Sequence, residues 1–208
     1  MAASHKRPVY LPTNAFDNTA ALDAAEVSRL AHSTAAALLD RAREDASGLS
    51  AERLVALVHD HGIDEIAELW SNAPARTLPG SLWRLYLIQL AIHNDAETAA
   101  LLYERGRFEL HTVDDAVAGA ATPATAEEMV ALIDTILRGA FRGDFAVALE
   151  RAAAFCRVEA SGAVHLAGDY EVTSPERAQA FTRRSLRLSD IADDLVASAA
   201  LWRRESLG

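Results

Sequence analysis

The residues of this chain best suited to chemistry are its histidines and the carboxylates near them. His59 and Asp60 lie side by side in LVALVHDHG, Leu54 to Gly62, where an apolar helical run stops at a glycine. An imidazole beside a carboxylate can share a divalent cation, and the same pair can equally be the polar fringe of an ordinary helix end. Periodicity puts Leu54, Leu57, Val58 and His61 on one face, so His61 rather than His59 is nearest the interior. His59 and His61 are two apart, and a helix sends them to different sides, so they form no simple same-face chelate. A protonated imidazole is mildly favourable at a helix C-terminus, whereas Asp60 is unfavourable there and is the one small sign of a task.

ALVHDHG is similar to the second motif of the HD-domain metal phosphohydrolases, an apolar run followed by His-Asp-x-Gly. His32, in RLAHSTAAALL, sits upstream where such enzymes place their first histidine. The resemblance implies a divalent metal held by His32, His59, Asp60 and a distal aspartate, which would be Asp134 or, less well, Asp114 or Asp115. Manganese, iron or zinc would suit such ligands, and the metal would supply hydroxide and stabilise charge on phosphoryl oxygens. The chain departs from the family at His61, where an apolar side chain is usual.

Other reactive residue types point to structure. Cys156 lies in an alanine-rich helical run and reads as a small buried hydrophobe. His93 closes an apolar helix and reads as a satisfied terminal residue, and His165 decorates a later turn. Arg183, Arg184 and Arg187, with Arg203 and Arg204, make the C-terminal helix locally basic, a solvated face or else a phosphate or partner site. There is no glycine-rich phosphate loop, serine elbow or helix-turn-helix.

Composition narrows the class. The 208 residues are 50% hydrophobic and 24% charged, which is globular text long enough for one buried core. The net charge of −10 argues against general nucleic-acid binding. Lys6 is the only lysine among 20 basic residues, so arginine and alanine dominate, as in a GC-rich bacterial genome. A lone cysteine forms no intramolecular disulfide, no secretory signal opens the chain, and no run is apolar enough to cross a membrane. A cytoplasmic protein is expected.

Alanine- and leucine-rich text with few β-branched runs predicts an all-α fold. Pro8 and Pro12 hold an extended arm over residues 1–18, and residues 19–208 form a single helical domain. Pro79 to Ser81 open LWRLYLIQLAIHN, apolar nearly all round and therefore expected at the centre. Asp95 caps the next helix across a turn short enough for an antiparallel hairpin. Thr125 with Glu128 forms a capping box, and RGD at Arg142 to Asp144 turns a second hairpin. GAVHLAGDYEV alternates and is the one candidate for a small β-hairpin. Ser174-Pro175 starts a long C-terminal helix, in one piece or two. Its seam from Phe181 to Trp202 lies against the body or, alternatively, pairs in a homodimer.

Helix pairs turn at Gly62, Asn94 and Gly143. The first interval is close to the roughly 34-residue period of tetratricopeptide repeats, and the second holds the insertion RFELHTVDDAVAGAATP. Trp83, Ala99 and Tyr103 resemble that repeat's first-helix tryptophan, small crossing residue and following aromatic, and Ala148 resembles the crossing residue of another unit. Leu87 and Leu90 depart from its glycine and tyrosine. The architecture expected is stacked antiparallel helical hairpins, α-solenoid-like or an irregular helical domain. The function expected is a non-catalytic scaffold or adaptor that binds a protein or peptide without a cofactor. Trp70, Trp83, Tyr86 and Tyr103 are its candidate anchors. The metal-dependent phosphohydrolase is the alternative.

Overall fold

The computed structural model describes residues 15–44, 69–110, 114–118 and 125–207. Among these the chain forms seven helices and no strand: α1 (Ala15–Glu44), α2 (Leu78–Asn94), α3 (Ala96–Glu109), α4 (Asp114–Ala118), α5 (Ala126–Arg142), α6 (Phe145–Tyr170) and α7 (Pro175–Trp202). The all-α class holds. Of the arm expected over residues 1–18, residues 15–18 belong to α1, and residues 1–14 lie outside the described residues.

Local signals set several helix ends. Thr77 Oγ1 accepts from Gly80 N at 3.2 Å and caps α2, with Pro79 in the first turn. Asp95 accepts from Thr98 N and starts α3. Thr125 and Glu128 form the reciprocal capping box of α5, and Asp144 accepts from Ala146 N and Val147 N at the start of α6. Ser174 occupies the cap position of α7 but makes no side-chain cap bond, so Pro175 and the first-turn Glu176 favour that start instead.

The central helix is α6, not α2. Ala152, Ala153, Ala154, Phe155 and Cys156 are consecutive and wholly buried, so neighbours cover α6 on every side. Alanine makes this feasible, because a bare methyl lets several helices approach at once. On α2 Leu90 and Ala91 remain exposed, and only one broad face is buried. Along α6 run α3, α4, α5 and, most extensively, α7. The long antiparallel hairpin is therefore α6–α7. Helices α2 and α3 meet around their shared corner and then diverge, with α3 packing along α6. Their short linker does not produce the packed hairpin expected.

The residues read as a β-hairpin, Gly162 to Val172, are the last turns of α6 followed by a short turn. Gly162 is not a turn residue here. A Cβ on it would overlap the Leu102 carbonyl of α3, and a Cβ on Gly106 would overlap the Val158 carbonyl of α6. The two glycines thus form one reciprocal crossing in which backbone lies on backbone. Leu102, Ala163 and Leu166 pack beside it. The C-terminal helix is one piece. Beyond it, Leu207 is buried and its carbonyl accepts from Leu78 N at 3.0 Å, which fastens the tail to the start of α2.

Gly106→Ala or Gly162→Ala is expected to cost about 3 kcal/mol in urea denaturation, since neither backbone can yield without moving a helix. Gly168, late in α6, has open space around its Cα. Gly168→Ala should instead raise stability, by about 1 kcal/mol, from helix propensity.

Candidate functional site

The sequence-derived metal ligands do not form a set among the described residues. His59 and Asp60 lie outside them. His32 is on α1, with Nδ1 2.8 Å from the Ser28 carbonyl. A carbonyl only accepts, so Nδ1 carries the proton and Nε2 presents a lone pair. That Nε2 is buried without a hydrogen-bond partner. Asp134, on α5, is already engaged: its Oδ1 accepts from Gln89 Nε2 at 2.9 Å and meets His93 Nε2 at 3.1 Å. Gln89 and His93 are one turn apart on α2, so this trio ties α2 to α5. Asp114 is held by Arg157 Nε at 3.0 Å, which fastens α4 to α6. The side chain of Asp115 lies outside the described residues. No group of three or more His, Cys, Asp or Glu side chains converges among the described residues.

The candidate interface aromatics are mostly interior. Trp70 is 2% exposed and donates its indole N–H to Thr34 Oγ1 at 3.2 Å. Tyr103 is 0% exposed and stacks on Phe155 with ring centroids 5.3 Å apart. Tyr86 is buried, and half-buried Trp83 tilts against it. In a core built so largely from alanine, large rings are needed to fill the spaces that methyl groups leave. That demand places these rings inside. Cys156 is buried too, and burial pushes its thiol up, with Glu159 adding to the shift, so it stays protonated and is no nucleophile.

A cavity of about 820 Å³ opens between α1, the start of α2, the α5–α6 turn and the end of α7. Leu78, Phe145, Trp202 and Leu207 supply its apolar floor, and His32 faces it from α1. Phe145 and Trp202 meet edge to face at 4.9 Å, and the Arg43 guanidinium lies 5.3 Å from the Trp202 ring centre. The rim carries both signs, with Arg43 and Arg203 against Asp144 and Glu205. Arg203 forks onto Glu150 and holds that carboxyl below the usual range.

Glu205 closes α7 with φ 54°. Glu205 N donates to the Trp202 carbonyl and Ser206 N to the Leu201 carbonyl, the paired bonds of a Schellman ending that normally has glycine at this position. A glutamate in left-handed backbone beside this cavity is strained locally. Sequence reading missed it because nothing in the letters RRES marks a left-handed residue.

A second polar feature lies inside. Glu159 of α6 is 1% exposed, and its Oε2 accepts from Arg184 Nη2 of α7 at 3.2 Å. Its Oε1 has no partner. Burial pushes the carboxyl up to about 7, opposed by the charge and hydrogen bond of Arg184 and assisted by Asp95. The available signal was a lone acid between Phe155, Cys156 and Gly162, Ala163 at helical spacing, an acid on an apolar face.

Comparison with known proteins returns no matching family model, no similar curated protein and no similar solved structure.

Two outcomes test these environments. A raised carboxyl pKa means the folded state holds a proton that the unfolded chain has lost. Its contribution is therefore complete below the ordinary glutamate value of 4.5 and disappears as pH rises through about 7. Glu159→Gln, which needs no proton, should gain stability relative to wild type across that window in parallel urea titrations. Glu205→Gly should stabilise the protein by about 1 kcal/mol by relieving the left-handed backbone, read as a rise in melting temperature.

Proposed function

We propose that this chain is a non-catalytic helical adaptor whose large cavity receives an apolar side chain, with flanking charges, from a partner protein. The cavity itself carries this reading. At about 820 Å³ it exceeds the needs of one side chain, its floor is aromatic and aliphatic, and its rim offers charges of both signs. Tryptophan and arginine are enriched among the residues that dominate protein interfaces, and here Arg43 lies over Trp202. The charge of −10 favours a protein partner over nucleic acid. A homodimer would use the same self-complementary rim.

The test compares affinity capture by wild type, by Arg43→Glu and by a remote control, Leu186→Glu, both changes being at exposed positions. A specific protein retained by wild type and the control but lost from Arg43→Glu supports the cavity. Equal capture by all three removes it.

A metal-dependent phosphohydrolase of HD type is the second reading, and one observation favours it. His32 has its Nδ1 proton fixed by a backbone carbonyl and its Nε2 buried without a partner, the arrangement that orients a ligating imidazole. Asp134 fits less well, since Gln89 and His93 already take its Oδ1. Metal bound there would supply hydroxide at near-neutral pH. Metal analysis of the purified chain should show stoichiometric manganese, iron or zinc that falls away in both His32→Ala and His59→Ala. Metal content unaffected by either change ends this reading.

A further inference from the structure

The last turn of α7 is pinned to the body, whereas the residues after it hold to the body mainly through Leu207. Trp202 lies edge to face on Phe145, and Arg203 forks onto Glu150, so that turn is fixed to α6. Arg204, Glu205 and Ser206 are exposed. Among the described residues, their hydrogen bonds run back to α7 or stay within the segment. Leu207 then returns to the body. It is 3% exposed, its carbonyl accepts from Leu78 N, and it forms part of the floor of the cavity of about 820 Å³.

Between the pinned turn and Leu207 stands Glu205, the one non-glycine residue with positive φ among the described residues. The left-handed strain therefore sits at the joint through which the chain turns back to seat Leu207, and releasing Leu207 relieves it. Leu78, Phe145 and Trp202, the other apolar floor residues, are each held inside a helix. Leu207 alone is delivered to the floor by a strained connection. It lodges a leucine side chain in the apolar surface that a partner's side chain would use.

We infer that residues 205–207 are a strap that competes with the partner for this cavity, Leu207 holding the place of the incoming apolar side chain until the strap swings out about Glu205. This rests on the cavity being the partner site. A site blocked in this way binds with its intrinsic affinity scaled by the fraction of molecules whose strap is open. Leu207→Ser removes the buried anchor and opens the strap. Glu205→Gly removes the left-handed penalty and closes it. The sign of the Leu207 effect separates a strap from a permanent floor. Loss of a floor residue weakens an apolar ligand, and loss of a competitor strengthens it.

The strap has its own reporter. Leu78 is the first residue of α2, so its N–H has no acceptor within its helix and takes its protection from Leu207. Hydrogen exchange of the full chain, read by NMR, should show the Leu78 amide opening well before that of Phe155 in the core and without response to low urea. Exchange at Leu78 should be faster in Leu207→Ser. It should be about fivefold slower in Glu205→Gly than in Glu205→Gln, which removes the same charge without relieving the backbone.

The cavity is read with anilinonaphthalene sulfonate, an apolar anion suited to the floor and to Arg43. Leu207→Ser should bind the dye about tenfold more tightly than wild type, and Glu205→Gly about fivefold more weakly than Glu205→Gln. Adding Arg43→Glu to Leu207→Ser should abolish the gain. Leu78 exchange only on global unfolding, weaker dye binding by Leu207→Ser, or a gain that survives Arg43→Glu overturns the strap. None of these readouts involves a partner protein. A strap that opens as expected in a chain that captures no protein supports the strap and removes the adaptor reading alone.

Discussion

At the crossing of α3 and α6, Gly106 rests on the Val158 carbonyl and Gly162 on the Leu102 carbonyl, with no side chain between. This contact sets how close α3 comes to α6, and much of the remaining geometry follows from it. Tyr103, one turn before Gly106, is thereby delivered flat against Phe155 at the centre of the core. The beginning of α3 is tied by Asp95 to the end of α2, so the same crossing constrains where α2 can lie. Close approach of backbones is available only where both positions lack a side chain, which makes the constraint sharp and intolerant of substitution.

Around that crossing the core is economical in volume and unusual in its polar content. The alanines of α6 admit neighbours on all sides, and Trp70, Tyr103, Phe145 and Phe155 fill what alanine leaves open. Gln89, Glu159 and Ser198 are nevertheless buried in the same interior. Gln89 is explained by Asp134, since the bond ties α2 to α5 and shares the carboxylate with His93. Glu159 is only half explained by Arg184, and its spare oxygen is a polar group that helix packing alone does not require.

Much of the helix layout was legible in the residues. Asp95, Thr125 with Glu128, and Pro175 open helices because their chemistry satisfies or tolerates free backbone N–H groups, whatever the tertiary setting. Gly162 and Gly168 were not legible in this way. A glycine inside an apolar run can mark a turn, a bulge or a close crossing, and only the partner helix decides which. Asn94-Asp95 signalled a tight turn correctly, yet a tight turn does not dictate that its flanking helices pack on each other. The aromatic residues followed the volume demand of an alanine core, so Trp70 and Tyr103 went inside. Glu159 belonged to no motif, and its pairing with Arg184 joins helices whose facing positions no local pattern reveals. His32 was legible as a histidine of interest, but the Ser28 bond that orients its ring depends on its rotamer.

Burial of the molecule's one sulfhydryl group has a practical corollary. Cys156 sits mid-helix on α6, enclosed by the elements that define the fold. An alkylating reagent dissolved in the surrounding water can meet that sulfur only after α6 has parted from its neighbours. The rate of alkylation is consequently a clock for cooperative opening, carried by the native chain without any added label.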